Sequence, residues 1–161
     1  MLRYGSFFCG NGRMKKLVTA ALLLAPLMSQ ADSIDDAVVS GVRAYQAAKC
    51  LSYLEVAGNT SDGSYDKLSK IFSENVSVYI DNALKDDFKL KANTTTIPLH
   101  WFIIVYGNRL DKPLLAGRLL QWTSMIETEK AGNQFSPGTP TIPESAGVAA
   151  FNNQNCVLLL N

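Results

Sequence analysis

Pro98-Leu99-His100-Trp101-Phe102-Ile103-Ile104-Val105-Tyr106-Gly107-Asn108 leads through Asp111-Lys112-Pro113 into Leu114-Leu115-Ala116-Gly117-Arg118-Leu119-Leu120-Gln121-Trp122-Thr123-Ser124-Met125-Ile126. The first part is apolar all round, which predicts burial whether it is helix or strand. In the second, apolar residues at 115, 119, 122 and 126 are spaced 4, 3 and 4 apart, a helical period. Gly107-Asn108 closes the first segment, and Asp111 can cap the second with Pro113 in its first turn. The stretch reads as a helical hairpin holding both tryptophans, with the rest of the chain packed around it.

Working outward, Ser33 with Asp36 three residues on predicts a helix start. That helix runs to about Val56, with Ile34, Val38, Val42, Tyr45 and Ala48 on one face, and Gly58 stops it. Asn59 to Ser64 is a polar turn. From Tyr65 to Phe88 the period is helical again, as one long helix or as two with a bend near Ser73–Asn75; the count over 65–92 stays open. Asn93-Thr94-Thr95-Thr96 links it to the hairpin. Gly132 to Pro143 reads as a long irregular loop stiffened by three prolines, in which Phe135 and Ile142 either pin the loop to the core or face a partner. Glu144 to Asn152 forms a short helix. The fold class is therefore all-α, a small bundle of four to five helices around the central hairpin.

Upstream, Lys15-Lys16, an apolar run from Leu17 to Met28 and Ser29-Gln30-Ala31 form the pattern of a secretory signal peptide cut after Ala31. The run is 12 residues and contains Pro26, against the ~20 a spanning helix needs. Met14 reads as the initiator, so residues 1–31 are leader and 32–161 a single helical domain in the periplasm. The mature chain has 11 Lys/Arg against 14 Asp/Glu, net −3. That balance argues against a nucleic-acid or anionic membrane partner, which calls for a basic patch.

Two cysteines remain, Cys50 and Cys156. In an oxidising compartment an even pair reads as a disulfide, free thiols being the alternative. The bond would tie the tail, with Leu158-Leu159-Leu160, to the first helix, and three leucines in a row at a terminus call for burial. His100, the only histidine, stands beside Trp101 in an apolar run and reads as a core or boundary residue. Nothing clusters as metal ligands, a phosphate loop or a nucleophile–base pair, and Glu127 and Glu129 near a helix end form no marked acid pair. No cofactor, metal or catalytic residue is expected.

The Lys-Lys leader, the helical mature chain, the disulfide between first helix and tail, and the block Gly117-Arg118-Leu119-Leu120-Gln121-Trp122-Thr123-Ser124-Met125-Ile126-Glu127 resemble the periplasmic immunity proteins of type VI secretion systems. The likeness is to the partners of a VgrG spike carrying a peptidoglycan-degrading, lysozyme-like domain. It implies a protein that is not an enzyme and that binds the cleft of an incoming hydrolase, sparing sister cells. A loop tip with a basic group and an aromatic anchor suits a cleft of carboxylates. On that expectation Ser61, Asp62 and Tyr65, Arg109 and Lys112, and Phe135 are the partner-binding candidates, and a homodimer is also expected. A periplasmic small-ligand carrier, with a pocket of Tyr79, Trp101 and Trp122, or a lysozyme inhibitor is the competing reading.

Overall fold

A computed structural model describes the backbone at residues 14–85, Phe88 and 97–161, and side chains from Asp35 onward; the Asn93–Thr96 link lies outside the described residues. The described residues form five α-helices and no strand, so the chain is an all-α bundle. They are α1 (Met14–Val56), α2 (Ser64–Asn82), α3 (Leu99–Gly107), α4 (Lys112–Phe135) and α5 (Glu144–Asn153), followed by a 3₁₀ turn at Cys156–Leu159. Residues 34–161 form one compact unit. No helix among the described residues is long and apolar enough to cross a membrane.

Ser33 does not cap α1, because the helix continues upstream through it to Met14. Its C-terminus ends as the sequence predicts. Gly58 takes φ +66°, its N–H bonds to the Glu55 carbonyl and Asn59 N–H to that of Leu54, which satisfies the last carbonyls. The inward stripe of α1 is made of small residues, Ala37, Gly41, Ala44 and Ala48, while Val38, Val42 and Tyr45 are half-buried beside it. A Cβ on Gly41 would lie 2.6 Å from Ile97 and 2.8 Å from the Tyr79 ring, so the glycine admits those side chains. α2 runs unbroken past Ser73–Asn75 to Asn82, burying Leu68, Phe72, Val76, Tyr79 and Ile80.

The hairpin forms as read. Asp111 Oδ1 accepts from Leu114 N–H at 3.2 Å, with Pro113 in the first turn of α4. The Trp101 indole Nε1–H donates to Thr123 Oγ1 at 3.0 Å and Arg118 to Asn108 Oδ1 at 3.1 Å, pairings that run antiparallel. Trp101 is fully buried, with Tyr45 and Tyr79 packed edge-on at 5.5 and 5.3 Å. Tyr79 and Trp101 thus form solid core, and Trp122 stands half-exposed, so the three do not line the pocket expected for a carrier.

Two expectations of burial fail. α3 is not buried all round: Trp101, Ile104 and Val105 face inward, but Leu99, Ile103 and Tyr106 point to solvent. A helix of nine residues on the outside of a bundle can cover only one side. In α4 the buried stripe is Leu115, Leu119, Thr123, Glu127 and Ala131, one residue round from the expected Trp122 and Ile126.

α4 also extends three residues past Gly132, so Phe135 is its half-buried last residue rather than part of a loop. Ile142 folds back so closely that a Cβ on Gly132 would meet it at 2.8 Å, which pins the 136–143 segment to the bundle. α5 packs as closely on α1: a Cβ on Gly147 would sit 2.5 Å from Ala57 N and 2.6 Å from Tyr53 O. Cys50 and Cys156 form the disulfide, their Cα atoms 5.7 Å apart and 106 residues apart in sequence. It holds the tail but does not bury all its leucines. Leu158 remains 73 % exposed.

Candidate binding surfaces

The six partner-binding candidates fall in three places. Ser61 and Asp62 are exposed in the α1–α2 turn, where Asp62 accepts from Ser64 N–H at 2.9 Å and from Asn59 Nδ2 at 2.8 Å, stiffening the turn. Tyr65 turns back, its hydroxyl donating to Glu55 Oε1 at 3.0 Å. Arg109 and Lys112 flank the α3–α4 turn at the other end of α2, where Lys112 pairs with Asp81. The 19 residues of α2 separate these two groups by roughly 28 Å. Phe135 ends α4, 23 residues beyond Lys112. The six therefore do not form one patch, and of the two basic residues Lys112 already holds an ion pair with Asp81, whereas Arg109 makes none among the described residues.

Among the described residues, both helices of the hairpin carry exposed large apolar side chains. Leu99, Ile103 and Tyr106 recur at helical spacing on α3 with 69, 60 and 71 % of their surface in water. Leu114, Trp122 and Met125 do the same on α4 with 57, 48 and 59 %. Tyr, Trp and Met are enriched at the buried centres of protein interfaces. At this exposure, six such side chains approach the ~800 Å² per partner of a standard-size interface. Arg109 and Arg118 stand at the turn end of this face, the second held by Asn108. The apolar run of α3 carried the signal for it, although as a sequence it reads as core.

A polar site lies where α4 crosses α1. Tyr45, Lys49 and Tyr53 follow one another by one turn each on α1 and face Glu127 on α4. The Glu127 side chain is buried, with 4 % of the residue exposed. Its Oε2 accepts from Tyr53 at 2.5 Å, and its Oε1 from Lys130 at 2.6 Å and Tyr45 at 3.2 Å. Burial pushes the Glu127 carboxyl up, but the hydrogen bonds from Lys130 and Tyr53 and the charges of Lys130 and Lys49 outweigh it and hold it below the ordinary range. Burial, then the carboxylate, pushes the Tyr45 phenol far up; for Tyr53 the hydrogen bond to Glu127 ranks second. An ionised acceptor with three donors, two of them from α1, locks α1 to α4.

A cavity of about 190 Å³ opens beside this cluster, reached also by Gln134, Phe135 and Gln154. Lys49 faces it, its ammonium 5.2 Å from the Tyr45 ring centroid and 3.2 Å from Gln154 Oε1. Burial lowers the Lys49 pKa from its ordinary value, only partly offset by Glu127. His100 is half-buried on α3 with its Nε2 unbonded, and burial, then Lys130, lowers its pKa. The described residues contain no cluster of three or more His, Cys, Asp or Glu able to hold a metal. No protein family, curated protein or solved structure matches the chain.

Proposed function

We propose that this protein is an exported immunity protein that binds and blocks a peptidoglycan hydrolase delivered by a type VI secretion system, transforming no substrate itself. The observation that carries the reading is the exposed Leu99/Ile103/Tyr106 and Leu114/Trp122/Met125 face. A face of that composition is suited to a protein partner and to no small polar substrate. Arg109 and Arg118 at its turn end offer positive charge to a cleft of catalytic carboxylates. The Cys50–Cys156 bond fits a life in the oxidising periplasm. The proposed contact thus shifts from loop tips to a helix face, retaining Arg109 from the sequence-based candidates. The same face would also support the expected homodimer in the absence of the effector.

The test is survival of cells that make a lysozyme-like type VI hydrolase in their periplasm, with and without this protein. Protection is expected, and Trp122→Ala with Tyr106→Ala should abolish it while leaving the melting temperature within about 2 °C. Equal survival in both arms refutes the proposal. Inhibition of an unrelated lysozyme with equal potency would favour the general inhibitor instead.

A further inference from the structure

We propose that the trough between α1 and the C-terminal tail binds a single-chain anionic amphiphile, an alkyl carboxylate with its head at Lys49 and its chain over Val42, Val39, Leu158 and Leu159.

Three cavities adjoin along this side of α1. The polar one of about 190 Å³ shares Lys49 and Gln154 with a second of about 250 Å³. The second shares Gln46, Leu158 and Leu159 with a third of about 500 Å³. Their chemistry changes along the way. The first is lined by Glu127, Lys130 and tyrosines, the last mainly by Val38, Val39, Val42, Leu158 and Leu159. Lys49 stands at the junction, its ammonium on the neutral amide of Gln154 and over the Tyr45 ring and, among the described residues, in no salt bridge. A carboxylate arriving there would replace that bond with a charge-assisted one, and the cation would gain a counter-ion where burial disfavours it.

The apolar end accounts for a feature the fold leaves unexplained. The disulfide brings the tail onto α1, yet Leu158 is 73 % and Val39 65 % exposed on either side of the resulting groove. An alkyl chain lying between them would cover both. From Lys49 to Val38 the helix rises about 16 Å, the length of an extended chain of about twelve carbons. Arg43 lines the far end and offers the opposite polarity of binding, with the head at the outer rim. Lys49 is favoured because it is the more buried cation and sits against polar partners. The site uses α1 and the tail rather than the α3–α4 face, so it stands or falls apart from the immunity reading.

Isothermal titration of the purified, oxidised protein with octanoate, decanoate and dodecanoate, each below its micelle concentration, tests this. Saturable one-to-one binding is expected, tightening roughly tenfold for every two carbons. Lys49→Gln should weaken dodecanoate at least tenfold, Arg43→Gln less than twofold, and Val39→Asp should remove the dependence on chain length. All three sites are at least partly exposed, and unchanged thermal melts will establish that the variants fold. Absence of saturable binding overturns the proposal, as does equal affinity for dodecyltrimethylammonium. A larger loss from Arg43→Gln than from Lys49→Gln overturns the assigned head site. Co-sedimentation with phosphatidylglycerol vesicles without binding of the monomeric carboxylates would mean a bilayer surface, and overturns it too.

Discussion

Replacing Glu127 removes a buried charge that joins α1 to α4, and the cost can be worked out partner by partner. The hydrogen bond from Tyr53, at 2.5 Å between two buried groups, is charge-assisted and contributes about 1.5–3 kcal/mol. That from half-buried Tyr45 at 3.2 Å adds about 0.5–1.5 kcal/mol. The Lys130 side chain is 59 % exposed and returns to water when its partner is lost, so its share is at most about 1 kcal/mol. Glu127→Ala should then cost about 3–4 kcal/mol, because it strands the Tyr53 hydroxyl as well. Glu127→Gln keeps an acceptor for that hydroxyl and should cost about 1–2 kcal/mol. Urea unfolding followed by tryptophan fluorescence reads both, since Trp101 touches Tyr45. The pH dependence sharpens the test. A carboxyl held below its unfolded value of 4.5 contributes stability that is fully present above that pH. The contribution is lost as pH falls through the folded value. The gap between wild type and Glu127→Gln should therefore be constant at neutral pH and close in acid. A gap below about 0.5 kcal/mol at pH 7, or one that widens in acid, refutes the assignment.

Two further outcomes follow from the packing. Removing the disulfide by Cys50→Ala with Cys156→Ala should lower stability by roughly 4–5 kcal/mol in the urea assay, because it frees a loop of about a hundred residues in the unfolded chain; a loss under about 1 kcal/mol contradicts this. Gly147→Ala drives a methyl into the backbone of Ala57 and Tyr53 and should cost at least about 2 kcal/mol, with faster proteolysis of the 136–143 segment, whereas Gly117→Ala, with open space around it, should stabilise α4 by about 0.5–1 kcal/mol. Equal effects at the two glycines would mean that α5 does not seat on α1 as described.

The helical hairpin, the Asp111 cap, the Gly58 stop and the Cys50–Cys156 bond were legible because each is signalled by residues close in sequence or, for the cysteines, by elimination. The rotational setting of α4 was not. Trp122 and Ile126 are more apolar than Thr123 and Glu127, so periodicity points them inward. What buries Glu127 instead are Tyr53 and Tyr45, which lie 74 and 82 residues away in sequence. The i, i+4, i+8 spacing of Tyr45, Lys49 and Tyr53 was a visible trace of the site, but only with α4 opposite does it become one. Phe135 shows the same limit: composition after Gly132 reads as loop, yet α4 runs on to Phe135 with Ile142 folded against Gly132.

These departures from the sequence pattern are connected. By turning Thr123 and Glu127 inward, the helix leaves Trp122 facing solvent, and α3 leaves Leu99, Ile103 and Tyr106 there as well. Apolar surface left in water adds no burial energy to folding, and local rules broken without local compensation are expected where a surface is kept for another purpose. The compensation lies elsewhere in the frame, in the three-donor carboxylate, the close seat of Gly147 and the disulfide across 106 residues. A frame fixed in this way would meet a partner of the kind proposed with little ordering left to do, which is where a helix face of modest area gains affinity over a flexible loop of the same size.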